Sequence, residues 1–444
     1  MNKIRHTSQR TLNNQTTANR YRNTNTQSSS NVRNIQQPAQ TITKKGAPDF
    51  QLLIMTVILV CFGIIMVFSA SSSIAWTNKN YNFDSLYFTK KHILYAVIGL
   101  VGMFFAMKAH YSKYKKWFAP FFLITLALLV IVLMVGKELN GARSWLNIFG
   151  FSLQPSEFAK LAVILYLAAL ISKKGDKLRD LRSGYIPVMV VVGLIAGLIF
   201  LQNDLGSCMI LVATAGLIIF AGGASVKHIM ASVLLLVLGA SLVLGIGALF
   251  NHDDNSSNES SYKAGRIEAF LDPMADEKGS SYNLVQSLTA IGVGGFTGSG
   301  FGQSIQKLHY LPNPYNDFIF AVIGEEFGFI GTSLFLLLYG YFIWRGLFIA
   351  LRCPDIFGTL VGVGIMSLIA IQAFINIGGV TNTIPITGVT LPFISYGGTS
   401  LIMMMTSMGI MLSISRETNR VASEKAQTTN SRISSRSSVS MRMK

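Results

Sequence analysis

The stretch FQLLIMTVILVCFGIIMVFSA, residues 50–70, carries no charged side chain. About 20 apolar residues are what an α-helix needs to cross a hydrocarbon core roughly 30 Å thick, at about 1.5 Å per residue. The stretch therefore reads as a membrane span. Working outward, comparable runs lie near 91–107, 117–136, 157–172, 185–201, 208–222, 229–250, 317–344, 358–379 and 391–415. They predict an all-α polytopic membrane protein of ten transmembrane helices, with a large extracytoplasmic loop between helices 7 and 8. Composition agrees: of 444 residues, 50% are hydrophobic and 13% charged. Soluble domains carry about 25% charged residues, so a water-soluble multidomain enzyme is excluded. Cys61, Cys208 and Cys353 fall in or beside apolar runs without CxxC or His-rich company. They read as packing residues rather than metal ligands or a disulfide framework.

An even helix count puts both termini on one side. The basic loops around Lys108, Lys113, Lys115 and Lys116, and from Lys173 to Arg182, share that side with Lys227, Arg345 and Arg352. Positive residues stay in the cytoplasm, so the formal charge of +17 is expected to face inward. Residues 1–48 hold eight Lys/Arg and no acid among Asn, Gln, Thr and Ser. Such a segment buries too little to order itself and reads as a disordered basic cytoplasmic tail, either a solvated extension or a recruitment segment. It is too long for the n-region of a cleavable signal, so the first helix reads as a signal anchor. Residues 416–444, at +5, form a second basic cytoplasmic tail. Residues 49–415 make up the membrane domain.

The loop from 251 to 316 then faces outward and, with Asp317 included, holds eight acids against four bases. Within it Leu284, Leu288 and Ile291 share one helical face, which suits a helix lying in the outer interface. The series Gly292, Gly294, Gly295, Gly298, Gly300 and Gly302 lacks the ending of a phosphate loop. It reads as a turn-rich, re-entrant segment, although glycines also let a backbone approach a bulky ligand.

Ionisable side chains cost about 2.5–3.5 kcal/mol at mid-bilayer, so those that remain need a reason. On this topology Arg143, Glu157, Lys160, Gln202, Asp204 and Asp317 fall at outer helix ends or in outer turns. Asn376, Asn382, Ser395 and Tyr396 belong to the outer half of helices nine and ten or their connection. A transporter more often places such groups at the midplane, at broken helices; here they share the outer headgroup level. Each has a plain structural explanation too. Glu157 and Lys160, three apart on a helix, can pair with each other. Asp204 and Asp317 stand near helix starts, where a carboxylate caps N–H groups. Glu325, within about 80° of the Asp317 face on a helical wheel, either supports a site or packs against another helix. It is the convergence of the whole set that favours a site. A polyprenyl-diphosphate-linked sugar would use it: the tail in lipid, the diphosphate beside Arg or Lys, and a carboxylate to deprotonate an incoming hydroxyl. Composition permits this answer without selecting it.

At these residues the sequence resembles the SEDS family (shape, elongation, division, sporulation), the family of FtsW, RodA and SpoVE. The matching stretches are GARSWL (141–146), LQPSEFAK (153–160), QNDLGS (202–207), Tyr282 to Gly295, SIQKLHYLP (304–312), DFIFA (317–321) and TGVTLPFISYGG (387–398). They run in order along the whole membrane domain, and the wording before Asp317 looks more like the FtsW branch than the RodA branch. The resemblance implies a peptidoglycan glycosyltransferase that polymerises lipid II on the outer face of the bacterial cytoplasmic membrane during cell division. It implies as partners a class B penicillin-binding protein, whose transpeptidase crosslinks the glycan, and other division-machinery membrane proteins. It makes Asp317 the catalytic residue, here expected to be the general base, and Arg143, Glu157 and Lys160 functionally important. Arg143, Lys160 and Lys307 would stabilise the departing undecaprenyl diphosphate, and Gln202, Asp204, Ser395 and Tyr396 complete the expected substrate-binding set. A divalent cation, magnesium or manganese, is compatible with that step, but no ligand set in the sequence demands one.

Family members usually carry proline where Asn203 stands, and often glutamate and threonine where Asn313 and Asn316 stand. Losing proline frees φ in the turn before Asp204, and losing a carboxylate lessens like-charge repulsion on Asp317. Neither change removes a group the chemistry needs. The alternatives are a lipid II flippase, a non-catalytic division scaffold and a RodA-like elongation role. A flippase should show a polar path to the cytoplasmic side, and the inner halves of these helices are apolar.

Overall fold

Inside a bilayer a backbone has no water to bond, so each N–H and C=O must be satisfied within its own helix or by buried protein. A computed structural model of the chain, describing residues 46–139, 142–148, 151–250, 269–274, 279 and 281–442, meets that demand mainly with helices. They are α1 (Phe50–Thr77), α2 (Tyr87–Lys108), α3 (Tyr111–Val135), α4 (Pro155–Lys174), α5 (Ile186–Phe200), α6 (Leu205–Ala221) and α7 (Val226–Phe250). After these come α8 (Tyr282–Gly294), α9 (Ile319–Leu351), α10 (Ile356–Val380) and α11 (Gly398–Arg442). Among the described residues eight helices are long and apolar enough to cross a membrane, and α6 and the Val226–Gly239 stretch of α7 are apolar as well. The chain is a multi-pass membrane protein. The expected disordered tail, up to residue 45, and the loop positions 251–268 and 275–278 lie outside the described residues.

The apolar stretches of α4, α10 and α11 are mostly buried, whereas those of α2 and α3 leave most of their surface outward. Ile98, Phe105, Leu123 and Ile124 are among the exposed apolar side chains on those outer helices, as lipid contact requires. One end of the bundle is tied by Arg345 to Asp49, 2.5 Å apart, and by Arg416 donating to the carbonyls of Gly46 and Met107. The Asp317 turn lies at the other end of α9 from Arg345.

The expectation of an all-α chain needs correction between α3 and α4. There Lys137–Leu139 (β1), Ala142–Ile148 (β2) and Phe151–Leu153 (β3) form a small antiparallel sheet in the order β1-β2-β3. Along β2, Ser144 and Leu146 are buried while Arg143 and Asn147 are exposed, the period-two alternation of a half-covered strand. The run is too short to register beside the long apolar helices.

The expected helix over 391–415 begins only at Gly398. Pro392 disfavours helical backbone at Leu391, and the segment folds as a buried strap in which Phe393 takes a left-handed φ of 67°. The Ser395 hydroxyl closes the strap by accepting the Leu391 N–H at 2.8 Å. The strap's carbonyl at Phe393 lies where a Cβ on Gly63 of α1 would stand. At its far end α11 continues beyond 415 to Arg442.

The expected span over 317–344 is in fact broken. Gly328, at φ 62° and ψ −167°, interrupts α9, and the glycine series supplies the missing bonds. Ser299 and Gly300 donate N–H groups to the carbonyls of Glu325 and Glu326, at 2.9 and 3.0 Å. Phe329 and Ile330 donate to the carbonyls of Gly295 and Phe296, at 2.8 and 3.1 Å. A side chain at Gly298 would collide with the backbone of Glu326 and Phe327, and one at Gly328 with the backbone from Phe296 to Gly298. The glycines thus mend a broken helix. Helix α8 packs one face against the protein. It buries Leu284, Ser287, Ala290 and Gly294, and Ser287 donates to the carbonyl of Val380 at 2.9 Å.

The φ and ψ of Gly328 are essentially a glycine-only combination, and forcing another residue into such a region costs about 1–3 kcal/mol. Gly328→Ala is expected to lower the melting temperature of the purified protein clearly. Gly340→Ala, inside α9 with open space around it, should leave it within a degree or so of wild type. Equal melting of the two variants would contradict the proposed role of the break.

Candidate functional site

Asp317 stands two residues before α9, at the end of the tight segment Leu311-Pro312-Asn313-Pro314-Tyr315-Asn316. Two prolines keep this stretch out of a helix. Asn313 turns it with a left-handed φ of 49°, and its carbonyl accepts the Asn316 N–H at 3.0 Å. Asparagine tolerates that conformation better than most residues, so the departure at 313 suits the turn it makes. Asn203, at φ 60°, is similar: proline, held near −65°, could not adopt this backbone.

The turn is held from two sides. The Asn376 side-chain amide donates to the carbonyls of both Asp317 and Val389, each at 2.7 Å. The Tyr396 N–H donates to the Tyr315 carbonyl at 2.9 Å. Tyr396 and Tyr315 stack edge to face, with Phe88 against both rings and His92 beside Tyr396. Burial pushes both phenols well above the usual tyrosine range, so they stay protonated at neutral pH. Asp317, half-buried, lines a narrow cleft with Phe318, Asn376, Gly379 and the segment Ile386 to Val389.

The other expected residues gather around the same strap, though largely as struts. Lys160 donates to Glu157 at 2.7 Å, both buried, and reaches Oε1 of Gln372 at 3.4 Å. Gln372 donates to the Thr390 carbonyl at 3.1 Å and lies one helical turn from Asn376. Asp204 caps α6: Oδ1 accepts the Ser207 N–H at 2.9 Å, and Oδ2 accepts from Gln154 and Ser156. Gly206, in the first turn of α6, packs against Thr387 and Val389. Gln202 is fully buried, donating to the Leu129 carbonyl and accepting the Arg143 N–H at 3.0 Å. Helices α4, α6 and α9 therefore meet at positions 372–376 of α10 and 387–390 of the strap.

Two expected residues sit differently. Arg143 leaves the exposed face of β2, with its guanidinium 4.0 Å from an exposed Glu138, a contact of little energetic weight. Lys307 does not join Asp317: it is buried, donating to Glu326 at 2.7 Å and to Ser69 of α1 at 2.9 Å. Glu325 accepts from the Ser304 hydroxyl and the Ile305 N–H, at 2.5 and 2.7 Å, and so pins the loop that carries Lys307. Sequence reading passed over Gln372. Its signal was there: Gln372 and Asn376, four apart, place two amides on one face of an otherwise apolar helix.

The family model for cell cycle proteins of the FtsW, RodA and SpoVE type matches residues 50–420. Stage V sporulation protein E of Bacillus subtilis (strain 168) is 44% identical over 376 residues, covering 84% of this chain and 98% of that protein. A probable peptidoglycan glycosyltransferase FtsW of Geobacter sp. (strain M18) is 40% identical over 373 residues, covering 83% of this chain and 96% of that protein. Among solved structures, one described as showing structural coordination of polymerization and crosslinking by a peptidoglycan synthase complex matches with a TM-score of 0.68. Its chain is 25% identical, with 84% of this chain and 98% of that one covered. The Thermus thermophilus rod shape determining protein RodA matches with a TM-score of 0.60 at 24% identity, covering 84% and 97%.

Removing one partner of a buried ion pair leaves the other charge unpaired and costs about 3–5 kcal/mol. Lys160→Met alone is expected to destabilise the protein by that order. The double variant Glu157→Gln/Lys160→Met should recover most of the loss, as read from thermal melting and folded yield. Additive losses would mean that the pair is not coupled.

Proposed function

Since the chain belongs to the FtsW, RodA and SpoVE family of cell cycle proteins, we propose that it polymerises lipid II into glycan strands at a centre built on Asp317. The observation that carries this reading is the position of Asp317: half-buried just before α9, it lines a cleft, and its backbone carbonyl is clamped by Asn376. Glu157, Glu325 and Glu326 lie buried inside the helix bundle, and Asp204 caps a helix.

In this mechanism Asp317 takes the proton from the acceptor's GlcNAc 4-hydroxyl, which attacks the anomeric carbon of the donor's MurNAc and inverts it to a β-1,4 link. The activated donor brings its own leaving group, so one carboxylate suffices where a glycosidase uses two. Of the three expected cations, Arg143 has its charged end exposed, and it is the one assigned to the departing undecaprenyl diphosphate. Glu157, Lys160, Gln202, Asp204, Ser395 and Tyr396 support the frame. Among the described residues no three His, Cys, Asp or Glu side chains gather as a metal site. A magnesium or manganese ion, if held by the diphosphate oxygens, would help neutralise the leaving group.

The same reading places ten crossings in the bacterial cytoplasmic membrane, with both termini and the basic loops in the cytoplasm and Asp317 at the outer face. The partner is a class B penicillin-binding protein. The work served is cell division, and similarity to a stage V sporulation protein supports a sporulation role as the second reading.

Purified protein with its transpeptidase partner and labelled lipid II should yield glycan polymer. Asp317→Asn should lower the rate by about 100- to 10,000-fold, the span of general-base contributions, while melting like wild type. Polymer from this variant at wild-type rate would remove Asp317 as the base. Depletion in cells separates the two roles: filaments without septa support division, and normal growth with defective spores supports sporulation.

A further inference from the structure

A second cavity, of about 400 Å³, shares no lining residue with the Asp317 cleft. Its wall on α1 is formed by Ser69, Ser72, Ser73 and Trp76, and Phe301 and Lys307 face them from the loop before α9. Positions 69, 72, 73 and 76 recur at three- and four-residue spacing, which puts them on one helical face. The volume falls in the range of small-molecule sites, roughly 300–1,000 Å³. Trp76 is 64% exposed and Phe301 49%, whereas Ser69 and Lys307 are buried at the bottom.

The electrostatics of that floor select the ligand. The Lys307 ammonium is already neutralised by Glu326 Oε1 at 2.7 Å, and the Ser69 hydroxyl donates to the same oxygen at 2.5 Å. The second oxygen of Glu326 is buried without a hydrogen-bond partner. An entering phosphate would meet a cation that has its counter-charge and a carboxylate that repels it. A ligand offering hydroxyl donors would meet no such repulsion. Serine hydroxyls both donate and accept, and an exposed indole offers a flat apolar face ending in a polar N–H. Hydroxyl groups around an apolar ring face are the surface of a sugar.

We propose that this cavity is a saccharide-binding site for a neutral stretch of glycan, separate from the centre where the bond is made. One sugar face packs on Trp76, and its hydroxyls bond to Ser72, Ser73 and the Lys307 end of the floor. The assignment rests on the reading of the chain as a glycan polymerase, and it places here sugars that are already joined.

The test uses the full chain in lipid nanodiscs free of glycoside detergent, titrated with chitotriose as a neutral β-1,4-linked probe and followed by saturation-transfer NMR. Wild type is expected to bind saturably. Trp76→Ala and, separately, Ser73→Leu should weaken binding at least tenfold, and Asp317→Asn should leave it unchanged. Unaltered binding in both cavity variants, or no saturable binding to wild type, overturns the proposal. So does inorganic pyrophosphate binding that both cavity variants abolish, because the site would then be an anion site. If chitotriose binding depends on Trp76 while lipid II is never polymerised, the sugar site stands and the polymerase reading falls. Polymerisation lost in Asp317→Asn, with chitotriose binding indifferent to the cavity variants, gives the reverse.

Discussion

The backbone's need for hydrogen-bond partners where water is absent governs this molecule more than any side-chain contact. Regular helices answer it along most of the chain, and the informative places are those where they do not. At Gly328 the helix that starts beside Asp317 breaks, and the freed N–H and C=O groups are taken up by residues 295–300. In the strap at 387–397 no helix forms, and Asn376, Gln372 and Ser395 supply the partners instead. Irregular backbone survives at this depth because protein surrounds it. It also lets Asp317 be fixed by its carbonyl where the residue lines the cleft.

Buried charge follows the same logic. Glu157 with Lys160 and Glu326 with Lys307 are each 2.7 Å apart and almost out of solvent. Burying one member of either pair alone would be far more costly than burying both, so each pair marks a junction that cannot shift without exposing an unpaired charge. The first joins α4 to α10 through Gln372. The second joins α1 to α9 through Ser69. The second pair braces the half-helix behind Asp317 directly, and the first steadies the helix whose Asn376 holds the Asp317 carbonyl.

Some of this was legible beforehand. Helix positions followed from apolar runs. The Glu157–Lys160 pair and the Asp204 cap are interactions over three residues, and their spacing announces them. The polar set at 376, 395 and 396 stood out against an apolar background. Other features were hidden for one shared reason. Ser69 and Glu326 are 257 residues apart, Lys160 and Gln372 are 212 apart, and no local pattern encodes such a meeting. Lys307 was therefore grouped with Arg143 and Lys160 as a cation for the leaving diphosphate, although the fold turns it toward Glu326 and α1. The strap was read as helix because its residues are apolar, and apolarity reports burial without reporting conformation.

Immersion in a membrane, the order of the helices and the short-range charge contacts were settled by composition and spacing, since these depend on residues within a turn or two of each other. Which carboxylate lines a cleft, which cations are already neutralised, and where a helix breaks were settled by packing. Those outcomes depend on partners brought in from distant parts of the chain, and a charge is committed or available according to what the fold sets beside it.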